Sequence, residues 1–245
     1  MKRKFFKFLL ILLIGGLGGI LATIFVLPYL AAIPPFSKIE FIKQLKDGAV
    51  IINKTEKVYI AENQAAEEAI DAISPRLAAI QAFRAGQTLS EGSGFILTSD
   101  GWIITAGDLA PLTADKILVY RNGDSFIAKE IRRDSKNNLA LMKIEQSNLP
   151  VASLAELTDI SLGEQVILIG AQKTKTGLYK FVNLGSVRGV NQETVEVNII
   201  ENNVLANGGP LINIKGEVIG LNQIDKKGIE KIVPTFKIKE LLNAL

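Results

Sequence analysis

The chain has 245 residues, with 28 Lys plus Arg, 25 Asp plus Glu, and neither His nor Cys. Charged residues at 22% and apolar residues at 48% are values of a folded protein and exclude wholesale disorder. Without Cys there are no disulfides, thiolate nucleophiles or zinc–thiolate sites; without His the commonest general base is gone, with every Ser-His and Cys-His pair.

The net charge of +3 is set by the first few residues, because Lys2, Arg3, Lys4 and Lys7 precede residue 8. The remainder holds 24 basic and 25 acidic residues, so no nucleic-acid footprint is expected. Residues 1–7 read as a cytoplasmic basic tail. Phe8 to Leu27 carries no charge, and its twenty residues at about 1.5 Å each match a hydrocarbon core of roughly 30 Å. With basic residues before it, this run predicts a signal-anchor helix, N-terminus cytoplasmic and the remainder extracytoplasmic. A cleaved signal peptide is the competing reading; it suits a shorter apolar core and a better cleavage site than Pro28–Ala32.

Residues 28–72 are expected to form a stalk, with one strand at Lys57–Ile60 and a helix over Gln64–Ile73. Asn63 caps that helix and Pro75 stops it. From Arg76 the pattern changes to short β-rich runs between turn residues. Six are predicted at Leu77–Phe83, Gly94–Thr98, Trp102–Thr105, Lys116–Tyr120, Phe126–Arg132 and Leu139–Ile144. Six more are predicted at Gln165–Ile169, Lys180–Val190, Thr194–Ile200, Pro210–Ile214, Glu217–Gln223 and Ile229–Val233. Asn122-Gly123 is the strongest hairpin signal among the turns. The polar stretch Glu145–Ser161 separates the two groups, and a short helix, Phe236–Ala244, closes the chain. This is an all-β pattern of barrels or sandwiches rather than a parallel α/β sheet. Phe95 and Trp102 follow strand alternation as core or rim residues.

Three stretches then carry chemistry. They are Gly92-Ser93-Gly94-Phe95 running through Thr105-Ala106-Gly107-Asp108-Leu109, Asn137-Asn138-Leu139-Ala140-Leu141-Met142-Lys143, and Asn203-Val204-Leu205-Ala206-Asn207-Gly208-Gly209-Pro210-Leu211 running on to Asn222. In this order and spacing they resemble the HtrA/Deg group of trypsin-like serine proteases, over about residues 73–240. The resemblance implies two perpendicular six-stranded β-barrels, at about 73–148 and 155–240 of a domain spanning 73–245, with a cleft between them. It also implies that the family's catalytic His falls on Asp108, its Asp on Asn138 and its nucleophilic Ser on Asn207. The oxyanion-hole Gly falls on Leu205. A neutral amide is not a nucleophile, and triad members act as a unit.

The expectation is therefore a membrane-anchored pseudoprotease, not an enzyme. It would act by binding an extended peptide or envelope protein along the strand Ile219, Gly220, Leu221, Asn222 and Gln223 by β-augmentation. The alternative is a divergent serine endopeptidase with a relocated nucleophile. Ser93 reads as a structural strand serine, and no cofactor or metal is expected. An oxygen-only site from Asp108 and Glu201 is a weaker reading than solvated polar residues. No PDZ domain is expected, and the oligomeric state stays open.

Overall fold

The computed structural model describes residues 2–26, 29, 54–191, 193–201, 203–225 and 228–244. The chain divides into two compact units, Met1–Ile60 and Ala61–Leu245. In the first, helix α1 spans Lys2–Leu21 and passes into a π-helical turn, Ala22–Val26. The uninterrupted apolar helix expected over Phe8–Leu27 is thus corrected. The uncharged part of α1 runs only from Phe8 to Leu21, roughly 21 Å, short of the roughly 30 Å hydrocarbon thickness. Among the described residues no helix is long and apolar enough to cross a membrane. Most of the expected stalk lies outside the described residues.

Helix α2 runs from Lys54 to Ile73. It takes in Lys57–Ile60, expected as a strand, and Asn63, expected as its cap. Ala, Glu, Gln and Lys dominate this segment, and their summed helix preference outweighs one Val-Tyr-Ile run. Ser74–Arg76 forms a 3₁₀ turn with Pro75 near its start, which ends the helix where expected.

Twelve strands follow in the second unit. They are β1 (Leu77–Arg84), β2 (Gln87–Ile96), β3 (Trp102–Ala106), β4 (Lys116–Arg121), β5 (Asp124–Asp134), β6 (Leu139–Lys143), β7 (Gln165–Thr174), β8 (Gly177–Val190), β9 (Val195–Val197), β10 (Pro210–Asn213), β11 (Val218–Ile224) and β12 (Glu230–Pro234). They close into two antiparallel barrels, ordered β1-β2-β3-β6-β5-β4 and β10-β11-β12-β9-β8-β7. Helix α3 (Thr235–Asn243) ends the domain. The β4–β5 connection is the Asn122-Gly123 turn, both residues at positive φ (47° and 93°), as a two-residue hairpin of primed type requires.

Three cores explain why the strands are apolar on both faces. On β6, Ala140 and Met142 point into the first barrel, while Leu139 and Leu141 point outward into a seam. Ile167, Ile169, Ile212 and Leu221 of the second barrel meet them in that seam, and Ala69 and Ile73 of α2 and Ile238 of α3 join it. The second barrel is filled by Val166, Leu168, Leu211, Ile219 and Ile232. With period two, a strand buried on both faces must be apolar at every position. The seam holds the barrels together and fixes the cleft at its edge.

Candidate active site in the cleft between the barrels

Three side chains from distant parts of the sequence converge at this cleft. Asp108 sits in the 3₁₀ turn Gly107–Leu109 that follows β3. Asn138 precedes β6 with φ 50°, a left-handed conformation that Asn tolerates. Asn207 follows the 3₁₀ turn Val204–Ala206 and is 6% exposed. The Asn207 amide nitrogen donates to both oxygens of the Asp108 carboxylate at 3.2 Å, and Asn138 Nδ2 donates to Oδ1 at 3.3 Å. On its other side, Asn207 Oδ1 accepts the backbone N–H of Ile224 at 3.2 Å. Asn207 therefore ties the first barrel's turn to the second barrel's strand.

The supports are backbone groups held by side chains. Arg133 donates from Nη1 to the carbonyl of Gly107 at 2.5 Å and from Nη2 to that of Ala110, bracing the turn that carries Asp108. Gln223 Nε2 donates to the carbonyls of Asn137 and Asn138, each at 2.8 Å. Ser93 is fully buried. Its Oγ accepts from the N–H of Ala171 at 2.8 Å and donates to the carbonyl of Leu205 at 2.6 Å, while its own N–H donates to the carbonyl of Asn207. This agrees with reading it as a structural serine.

The amide at the expected oxyanion-hole position, Leu205, is turned inward, and so is that of Asn207. Leu205 N–H donates to Asn203 Oδ1 at 3.1 Å, and Asn207 N–H donates to the carbonyl of Val204 at 3.1 Å. The right-handed 3₁₀ turn suits Leu205, which has no need of the glycine-like conformation that its position implied. Gly208 has kept that requirement. Its φ is +79°, and a Cβ there would lie 2.2 Å from the carbonyl oxygen of Ser93.

The strand expected to pair with peptide is closed for most of its length. Gly220 is registered between Leu211 and Pro234, and Leu221 between Pro210 and Val233. Asn222 donates to the carbonyl of Gly209 and accepts from the N–H of Gly208. All of Ile219–Gln223 is buried, because closure of a barrel removes its edges. The free side of β11 begins at Ile224, one residue beyond the expected segment. There a cavity of about 330 Å³ opens, lined by Asp108 and Asn138 from one barrel and by Gln223, Ile224, Asp225, Ile229 and Lys231 from the other.

The sequence reading missed Glu230. It begins β12 opposite Ile224 and borders a second cavity of about 500 Å³. One of its carboxyl oxygens is hidden from solvent without a hydrogen-bond partner. Burial, followed by the nearby Glu201 carboxylate, pushes its pKa up to about 7. No sequence signal marks Glu230, since a Glu opening a strand is ordinary. Among the described residues no group of three acidic side chains is placed to hold a metal ion.

The family profile for the trypsin-like peptidase domain matches residues 92–221, more than half of the chain. This chain belongs to the trypsin-like peptidase family, as an HtrA/Deg-type member. It is 37% identical over 141 residues to a DegP-like periplasmic serine endoprotease of Halomonas elongata, covering 54% of this chain and 29% of that protein. It is 30% identical over 192 residues to the serine protease HTRA1A of Danio rerio, covering 71% of this chain and 40% of that one. The chain thus spans less than half the length of these relatives. The serine endoprotease of Yersinia pestis has the same fold, with a TM-score of 0.64 at 23% identity, covering 73% of this chain and 65% of that one.

These relatives correct one expectation. The chain was expected not to be an enzyme, on the strength of Asp108, Asn138 and Asn207. The relatives of this HtrA/Deg-type chain are named serine endoproteases, which places it within a family of peptidases.

Proposed function

We propose that this chain is a membrane-anchored, extracytoplasmic HtrA/Deg-type domain that holds extended polypeptide in the cleft between its barrels. The observation that carries the proposal is the backbone N–H of Ile224. It lies where β11 runs free of β10, beside the cavity, and is met by the Asn207 side chain rather than by another strand. A polypeptide carbonyl can replace that side-chain acceptor at little net cost, because one hydrogen bond is exchanged for another. The periplasmic naming of the Halomonas relative supports an extracytoplasmic location. Anchoring rests on the uncharged sequence Phe8–Leu27 alone, since no described helix is long and apolar enough to cross a membrane.

A second reading is endopeptidase action by a hydroxyl outside the three converging positions. The naming of the relatives favours it. One experiment separates the two. The purified full chain in lipid nanodiscs is titrated with extended peptides and with unfolded casein, and in parallel treated with a fluorophosphonate probe. Saturable binding with intact casein and no labelling supports holding. Labelling with cleavage supports the second reading and locates the hydroxyl by mass spectrometry. Absence of binding in the titration refutes the proposal.

A further inference from the structure

We propose that the β7–β8 hairpin docks its tip on an anionic lipid surface. Residues 61–245 carry 19 basic and 22 acidic side chains, yet residues 165–192 contain Lys173, Lys175, Lys180 and Arg188 and no acidic residue at all. Three of these four cations sit within eight residues at the turn. The excess positive charge of an otherwise slightly acidic domain is thus concentrated on one element.

The hairpin also stands out in shape. β10 pairs with β7 no further along than Leu168, and β9 pairs with β8 no nearer the turn than Val187. From Ile169↔Val182 to Thr174↔Gly177 the two strands continue as a two-stranded ribbon. The turn is held by Thr174 Oγ1 donating to the carbonyl of Gly177 at 3.0 Å. Next to the turn, Lys173 lies 5.5 Å from the ring centroid of Tyr120 on β4, so one side of the hairpin's end rests on the first barrel. Lys175 and Lys180 are exposed.

Lysines on a free strand edge commonly guard against aggregation. Here apolar surface accompanies them. Tyr179 is 56% exposed and stacks on Phe181 on one face of β8, while Val182 and Leu184, 45% and 52% exposed, share the opposite face with Lys180. Lysine beside an exposed tyrosine and exposed aliphatic side chains fits the boundary of an anionic bilayer, where ammonium groups meet headgroups and rings sit at their level. The inference goes beyond peptide holding and does not depend on the N-terminal segment.

The test uses residues 61–245, which contain all three cores and form a compact unit. Cosedimentation is measured with phosphatidylcholine vesicles and with vesicles in which part of the lipid is phosphatidylglycerol. Binding is expected only to the anionic vesicles, and is expected to weaken as salt rises. Each lysine held at such a surface contributes a factor of roughly five, so Lys175→Gln with Lys180→Gln is expected to weaken partitioning roughly 25-fold. Lys136→Gln with Lys215→Gln removes the same charge outside the hairpin and is expected to leave binding within about two-fold. Tyr179→Ser is expected to weaken binding several-fold at a salt concentration where the lysines are screened, with an unchanged circular dichroism spectrum. Binding indifferent to phosphatidylglycerol, or an equal loss in both lysine pairs, overturns the proposal.

Discussion

Ser93→Ala removes one oxygen atom and should weaken both barrels together. In the native domain Ser93 Oγ satisfies the N–H of Ala171 on β7 and the carbonyl of Leu205 in the 3₁₀ turn, at 2.8 and 2.6 Å, with Ser93 fully buried. Alanine leaves that N–H without a protein partner in a buried seam, and an orphaned buried donor costs about 1–3 kcal/mol. The carbonyl of Leu205 loses its strongest donor as well, which adds about 1 kcal/mol. The sum is about 2–4 kcal/mol. For a domain of this size, that corresponds to a fall in Tm of roughly 6–12 °C. Urea denaturation of residues 61–245 reads the loss directly, with Trp102, the single tryptophan, reporting on the first barrel and far-UV circular dichroism on both. The two probes should shift together, because the bond spans the seam. A loss below about 0.5 kcal/mol would show that water or a local shift replaces the hydroxyl, and would refute the account of Ser93 as the tie between β2, β7 and the Asn207 turn.

Other expected outcomes rest on separate observations. Gly208→Ala should prevent folding or cost more than about 4 kcal/mol, because positive φ and a Cβ 2.2 Å from the Ser93 carbonyl oxygen penalise it together; soluble expression with native circular dichroism would contradict this. Glu230 has its pKa raised from 4.5 to about 7, so the folded state binds the extra proton. Its contribution to stability is present at low pH and is lost as pH rises toward and through about 7. After discounting for partial solvent screening, the loss is about 1–2 kcal/mol, and Glu230→Gln should flatten that part of the pH–stability curve; a parallel curve would sink the assignment. Asn207→Ala frees the Ile224 N–H, and hydrogen exchange at that amide should accelerate at least roughly ten-fold, with protection restored by bound peptide.

The barrels were legible because their physics is local and periodic. Apolar runs of four to eight residues between Gly, Asn and Asp turns place strand centres well, and Asn122-Gly123 placed a hairpin to the residue. Strand ends were less legible. Gln87–Glu91 opens β2 with exposed or half-buried, mostly polar residues, and Gly177–Tyr179 extends β8 into the ribbon; both are held by their partner strand rather than by apolar preference. The extension of α2 back to Lys54 was missed for the opposite reason. A short β-branched run was given more weight than the helix formers around it. In α1 the apolar run was legible, but the backbone's change to a π turn after Leu21 was not.

The site divides along the same line. That Asp108, Asn138 and Asn207 converge was implied by resemblance, and the hydrogen bonds among them agree with it. What those amides do for one another could not be read from residue type alone. Asn207 serves as donor to a carboxylate and acceptor from Ile224 at once, through its two separate amide atoms, which a carboxylate, an acceptor only, cannot do. The strand Ile219–Gln223 was misjudged because sequence shows a β-run but not which of its edges is free; closure of the barrel occupies both edges until Ile224. Glu230 was invisible for a related reason. Its meaning comes from Glu201, some thirty residues away in the chain, and from a cavity wall that exists only once β9, β11 and β12 are assembled. Properties that depend on which edges close are set by the barrel as a whole, so the cleft is where reading residue by residue runs out and measurement at Ile224 and Glu230 begins.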